Sequence, residues 1–140
     1  MKKILSLCLF FFVTMLMVGN VIEVNASAQT EIFYNMTSGN MEETDEYGTS
    51  TYGRYKWTIF DMDEDEENGC YYTPSTYIKI RQRSVAGATG YTDYVYPPFV
   101  NKTATHYHST YYGDEDIYLE VTLYNINGVC DLTLIFDPDY

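Results

Sequence analysis

From residue 117 to residue 136 the chain alternates apolar and polar side chains, a period of two that fits half-buried strands and no helix. Ile117, Leu119, Val121 and Leu123 alternate with Tyr118, Glu120, Thr122 and Tyr124. Beyond Asn127-Gly128, Cys130, Leu132, Leu134 and Phe136 alternate with Asp131, Thr133 and Ile135. Asn-Gly between two such runs signals a hairpin, because both residues tolerate positive φ. The expected register sets Leu123 against Leu132, Val121 against Leu134 and Leu119 against Phe136. A slip of one residue would turn every inward side chain out.

Further runs carry the same period. Residues 76–85 alternate Ile78 and Ile80 with Lys79, Arg81 and Arg83, a strand with a basic outer stripe. A turn over residues 87–90 returns the chain as a partner strand at 91–96, which Pro97-Pro98 ends; an aromatic before proline favours a cis bond there. Residues 51–60 put Tyr55, Trp57 and Ile59 on one face, residues 103–112 are rich in Thr, His and Tyr, and residues 31–36 form a short first strand. Residues 37–48 and 61–69 read as acidic loops. Six or seven strands and no helix predict an all-β fold. A small antiparallel β-sandwich is the expected closure, and a small β-barrel is the alternative.

The N-terminus reads as a secretory signal peptide over residues 1–28. Lys2 and Lys3 precede an apolar stretch of about 15 residues, and Ala26-Ser27-Ala28 supplies the small-x-small end. That stretch is short for a bilayer span of about 20 residues, so an uncleaved anchor is the lesser reading and no stable membrane anchor is expected after cleavage. Residues 29–140 then form a single secreted, extracellular β-sandwich domain. As a class the chain resembles the small signal-peptide-bearing β-proteins of Gram-positive bacteria; the likeness lies in the leader, the size and the strand pattern, with no diagnostic motif. Cys70 and Cys130 are the two cysteines beyond the leader. In an exported chain such a pair predicts a disulfide, and free thiols are the alternative.

Residues 29–140 hold 6 basic and 19 acidic residues, a net charge near −13, together with all 16 tyrosines. So acidic a chain is not expected to bind nucleic acid, which needs clustered Lys and Arg.

Four groups of residues are candidates for chemistry. Asp61, Asp63 and Asp65, with Glu64, Glu66 and Glu67, are hard oxygen donors for Ca²⁺, the one cofactor the chain suggests. The EF-hand spacing fails, and a solvated acidic loop is the competing reading. His106 and His108 fall on one side of a strand and grip a Zn²⁺ or Cu²⁺ only if Asp114 or Asp116 joins them; a plain surface pair is the simpler reading. No nucleophile motif or carboxylate spacing stands out, so no catalytic residue and no enzyme activity are expected. The outward aromatics remain. Tyr118 and Tyr124 share a face, and Tyr94 and Tyr96 share one with Arg81 and Arg83, an arrangement that stacks on sugars, anchors a protein or merely pairs across strands. The expected function is surface recognition of an extracellular protein or glycan. The alternatives are a bacteriocin-like or toxin-like secreted antagonist and a calcium-stabilised component of a matrix or coat.

Overall fold

A computed structural model describes residues 28–48, 53–63, 69–108, 116–138 and 140. The leader expected over residues 1–28 lies outside them except for Ala28. Eight strands follow in order: β1 (Gln29–Met36), β2 (Met41–Glu43), β3 (Arg54–Asp63), β4 (Tyr71–Ser84), β5 (Thr89–Val95), β6 (Thr103–Tyr107), β7 (Ile117–Asn127) and β8 (Cys130–Asp137). They form two four-stranded antiparallel sheets, β1-β8-β3-β6 and β2-β7-β4-β5, packed as a sandwich. Period-two alternation explains the layers. Tyr55, Trp57, Ile59, Leu132, Leu134 and Phe136 of the first sheet meet Ile78, Ile80, Leu119, Val121 and Leu123 of the second, all buried. The barrel alternative falls, because β1 and β6 remain edges of one sheet and β2 and β5 of the other.

The Asn127-Gly128 hairpin is not formed. β7 lies between β2 and β4, and β8 lies between β1 and β3 in the opposite sheet. Leu123 and Leu132, and their expected fellows, therefore share the interior as members of opposed layers rather than as neighbours in one sheet. Of the Asn-Gly pair only Gly128 takes a positive φ, 76°, whereas a two-residue hairpin turn needs it at the first of the pair (type II′) or at both (type I′). Gly128 serves a close crossing instead: a Cβ there would stand 2.3 Å from the Gly69 carbonyl oxygen. Apolar alternation fixes which side of a strand is buried; it does not say whether the matching side belongs to a neighbour or to the facing sheet.

Two expected loops are partly strand. β2 lies within residues 37–48, its three residues all exposed, and it pairs with β7. β3 runs on through Asp61 to Asp63 after a register shift past Ile59. β4 starts earlier than its alternation suggested, at Tyr71, and carries Pro74 where its pairing with β7 lapses between Tyr72 and Tyr77. Pro lacks the donor for a ladder bond, and such an irregularity is where a strand tolerates it. Thr76 Oγ1 closes the gap by donating to the Asn125 carbonyl at 2.7 Å. The cis bond joins Pro97 to Pro98, not Tyr96 to Pro97.

The disulfide is present as expected. Cys70, just before β4, joins Cys130, the first residue of β8, with Cα atoms 5.3 Å apart and both residues 1 % exposed. It ties one sheet to the other across a 60-residue separation, which stabilises by about 4 kcal/mol in the chain-entropy account.

Candidate functional site: a tyrosine face and its adjoining cleft

Alternation in β4 buries Thr76, Ile78, Ile80, Gln82 and Ser84 and turns Tyr77, Lys79, Arg81 and Arg83 to the outer face of the second sheet. Pairing then decides what surrounds them. Across to β7, Tyr77 faces Tyr124, Lys79 faces Thr122, Arg81 faces Glu120 and Arg83 faces Tyr118. Across to β5, Lys79 faces Tyr94 and Arg81 faces Thr92. The hairpin joining β4 and β5 is the tight one expected, closed by Gly87 N–H donating to the Ser84 carbonyl at 2.9 Å.

Four rings gather at one end of this face. The Tyr77 ring lies 4.8 Å from Tyr124, stacked at 17°, with Tyr96 at 5.7 Å and Tyr94 at 6.0 Å. Tyr94 and Tyr96 are more than half exposed. Partial burial and then the phenols of Tyr124, Tyr96 and Tyr94 raise the Tyr77 hydroxyl above its ordinary pKa of 10.0. All six residues singled out in sequence, Tyr94, Tyr96, Arg81, Arg83, Tyr118 and Tyr124, thus share one sheet face. Their contacts differ from the expectation. The arginines do not stack on Tyr94 or Tyr96; Arg81 donates to Glu120 Oε2, and Arg83 Nε lies 3.5 Å from Glu120 Oε1. Tyr118 stands opposite Arg83 at the far end from Tyr124, and no ring contact joins it to the cluster.

Sequence reasoning passed over Tyr77, Lys79 and Glu120 as site residues. The signal for Tyr77 was present: it precedes Lys79, Arg81 and Arg83 in the same period-two stripe. Glu120 gave no such sign, because it is 6 % exposed on a nominally outward position and its role depends on β4 lying beside it.

A cleft of about 400 Å³ adjoins the tyrosines, between the free edges of β5 and β6, and Asp93, Tyr94, Tyr96, Lys102 and Thr103 line it with Trp57 at its floor. Asp93 points inward from β5. Its Oδ2 accepts from Trp57 Nε1 at 2.9 Å and lies 2.7 Å from His106 Nε2. Tyr91 stacks on His106 at 4.5 Å. One carboxylate thereby links both sheets at their open edge.

His106 and His108 do share a side of the chain, but it is the inner side, and neither is the surface group expected. They flank Tyr55 at 5.4 and 5.5 Å, and His108 is buried with Nε2 2.7 Å from the Pro138 carbonyl oxygen. Asp116 is exposed, and Asp114 lies outside the described residues. In the acidic segment, Asp61 Oδ1 accepts from its neighbour's amide, Met62 N, at 2.9 Å, and Asp63 pairs in register with Asp131. Asp65, Glu64, Glu66 and Glu67 lie outside the described residues. Among the described residues no three His, Cys, Asp or Glu side chains come together as a metal-ligand set. No protein-family model matches the chain, and no curated protein is significantly similar to it.

Proposed function

We propose that this chain is an exported, non-enzymatic recognition domain that binds glycan on the outer face of sheet β2-β7-β4-β5. The observation that carries the reading is the contiguous cluster of Tyr94, Tyr96 and Tyr124 around Tyr77, each in ring contact with Tyr77, with Tyr94 and Tyr96 exposed and Tyr77 and Tyr124 half-buried. Aromatic faces held in place offer stacking surfaces at low entropic cost, and phenol hydroxyls supply hydrogen bonds at the rim. A polar residue adjoins the rings, Lys79 in the next row opposite Tyr94. A sugar, apolar on its ring faces and polar at its edges, suits such a surface better than the apolar centre of a protein interface. Binding without catalysis is supported by the nearest carboxylates, which are engaged internally: Glu120 by two arginines, Asp93 by Trp57 and His106. Export is supported by the leader and by the Cys70–Cys130 disulfide.

The test is a glycan array probed with folded protein and with Tyr94→Ala/Tyr96→Ala. Both side chains are exposed, so the double variant is expected to stay folded and to lose the wild-type signals. Retention of every signal by the variant, or no signal from the wild type, would remove the proposal.

A further inference from the structure

Resting on that reading, we propose that the glycan is anionic: its rings lie on the tyrosine cluster and its carboxylate or sulfate groups meet Lys79 and Lys102. The fate of the chain's cations points that way. Six remain beyond the leader, in a stretch carrying 19 acids. Arg81 and Arg83 are engaged by Glu120. Arg54 and Lys56, on the opposite sheet, are covered by rings: Arg54 lies 5.9 Å from Tyr107 and 5.4 Å from Tyr140, and Lys56 lies 4.6 Å from Tyr140. Lys79 and Lys102 alone have neither an ion pair nor a ring beneath them among the described residues.

Both bracket the same ring. Lys79 stands opposite Tyr94 in the ladder, and Lys102 lines the cleft that Tyr94 and Tyr96 also line. The cleft and the tyrosine cluster are therefore one continuous surface, with strand β5 as the ridge between them and a lysine on either side. Asp93 lines the same cleft but is bound to Trp57 and His106; the two ammonium groups flanking the stacking platform, unpaired among the described residues, supply the positive charge that complements an anionic sugar chain. A cleft of about 400 Å³ falls in the range of small-molecule sites and admits the end of such a chain. Lysine acts as a point charge without the planar fork of arginine, so carboxylate and sulfate are both accommodated.

Calorimetric titration of the disulfide-intact protein with three probes tests this: a tetrasaccharide of galacturonic acid, a sulfated galactose tetrasaccharide and the neutral galactose tetrasaccharide. At least one anionic probe is expected to bind about tenfold more tightly than the neutral one. Lys79→Gln and Lys102→Gln should each weaken it about threefold, and the pair of changes about tenfold, the scale of exposed ion pairs. Lys56→Gln, on the other sheet, should leave it unchanged. Equal affinity for all three probes, or indifference to both lysines, overturns the anionic assignment while leaving the tyrosine face as a glycan site. Failure of all three to bind, with the glycan array also blank, overturns both.

Discussion

Replacing Gly128 by alanine separates the crossing observed between β7 and β8 from an ordinary hairpin turn. Gly128 has φ +76, and its added Cβ would sit 2.3 Å from Gly69 O, 2.4 Å from Gly69 C and 2.7 Å from Cys70 N, all backbone. The left-handed backbone alone costs a residue with a Cβ about 1–2 kcal/mol. Relieving contacts that close requires the backbone at Gly69-Cys70 to move, and the disulfide at Cys70 anchors it; forced overpacking adds about 1–3 kcal/mol. Gly128→Ala should therefore destabilise by about 3 kcal/mol or more. Gly87→Ala is the control. Its φ is +88 with nothing within 4 Å of the added Cβ, so only the backbone cost of about 1–2 kcal/mol applies. Urea denaturation of both variants and the wild type, disulfide intact, reads the difference as a shift in midpoint at constant slope. Equal losses for the two variants would refute the crossing.

Three further outcomes follow from side chains that tie separate segments of the chain together. Tyr47 donates to Glu31 Oε1, and burial first, then that bond, hold its hydroxyl well above the ordinary 10.0. A raised folded pKa gives stability that is complete below pH 10 and is lost as pH climbs above it. Tyr47→Phe should cost about 1 kcal/mol at neutral pH and flatten the alkaline decline, read by denaturation at pH 7 through 11; an unchanged alkaline slope would count against the bond. Glu120→Gln should cost about 1–2 kcal/mol, because the buried acid serves two arginines that are themselves a quarter to a third exposed, and a variant as stable as wild type would deny the pairing. Asp93→Ala should cost about 1–3 kcal/mol by leaving Trp57 Nε1 without its acceptor, and fluorescence unfolding reads it cleanly because Trp57 is the sole tryptophan; no loss would mean the bond contributes nothing.

Burial was the part of the fold most legible in sequence, because a strand exposes its choice of face at every second residue. Tyr55, Trp57, Ile59, Leu119, Leu132 and Phe136 are all inside as their positions required. Strand partnership was not legible at Asn127-Gly128, since a turn dipeptide reports tolerance of positive φ and is silent on where the chain goes next. β2 left no hydrophobic trace because it is held to the sheet edge by backbone bonds and buries none of its three residues. The tyrosine face was half visible. Tyr94, Tyr96 and Tyr124 were marked as outward, but their convergence on Tyr77 needed the registers on both sides of β4. The cleft gave no sequence sign, for it exists where two edges from separate sheets come together over Asp93 and Trp57.

The most direct measurement is a tyrosine-ring NMR titration with the tighter-binding of the two anionic tetrasaccharides. Saturating shifts should gather on the ring protons of Tyr77, Tyr94, Tyr96 and Tyr124, leaving Tyr107 and Tyr140 on the opposite sheet undisturbed. Shifts confined to Tyr107 and Tyr140, or spread evenly over all the rings, would contradict recognition by this face.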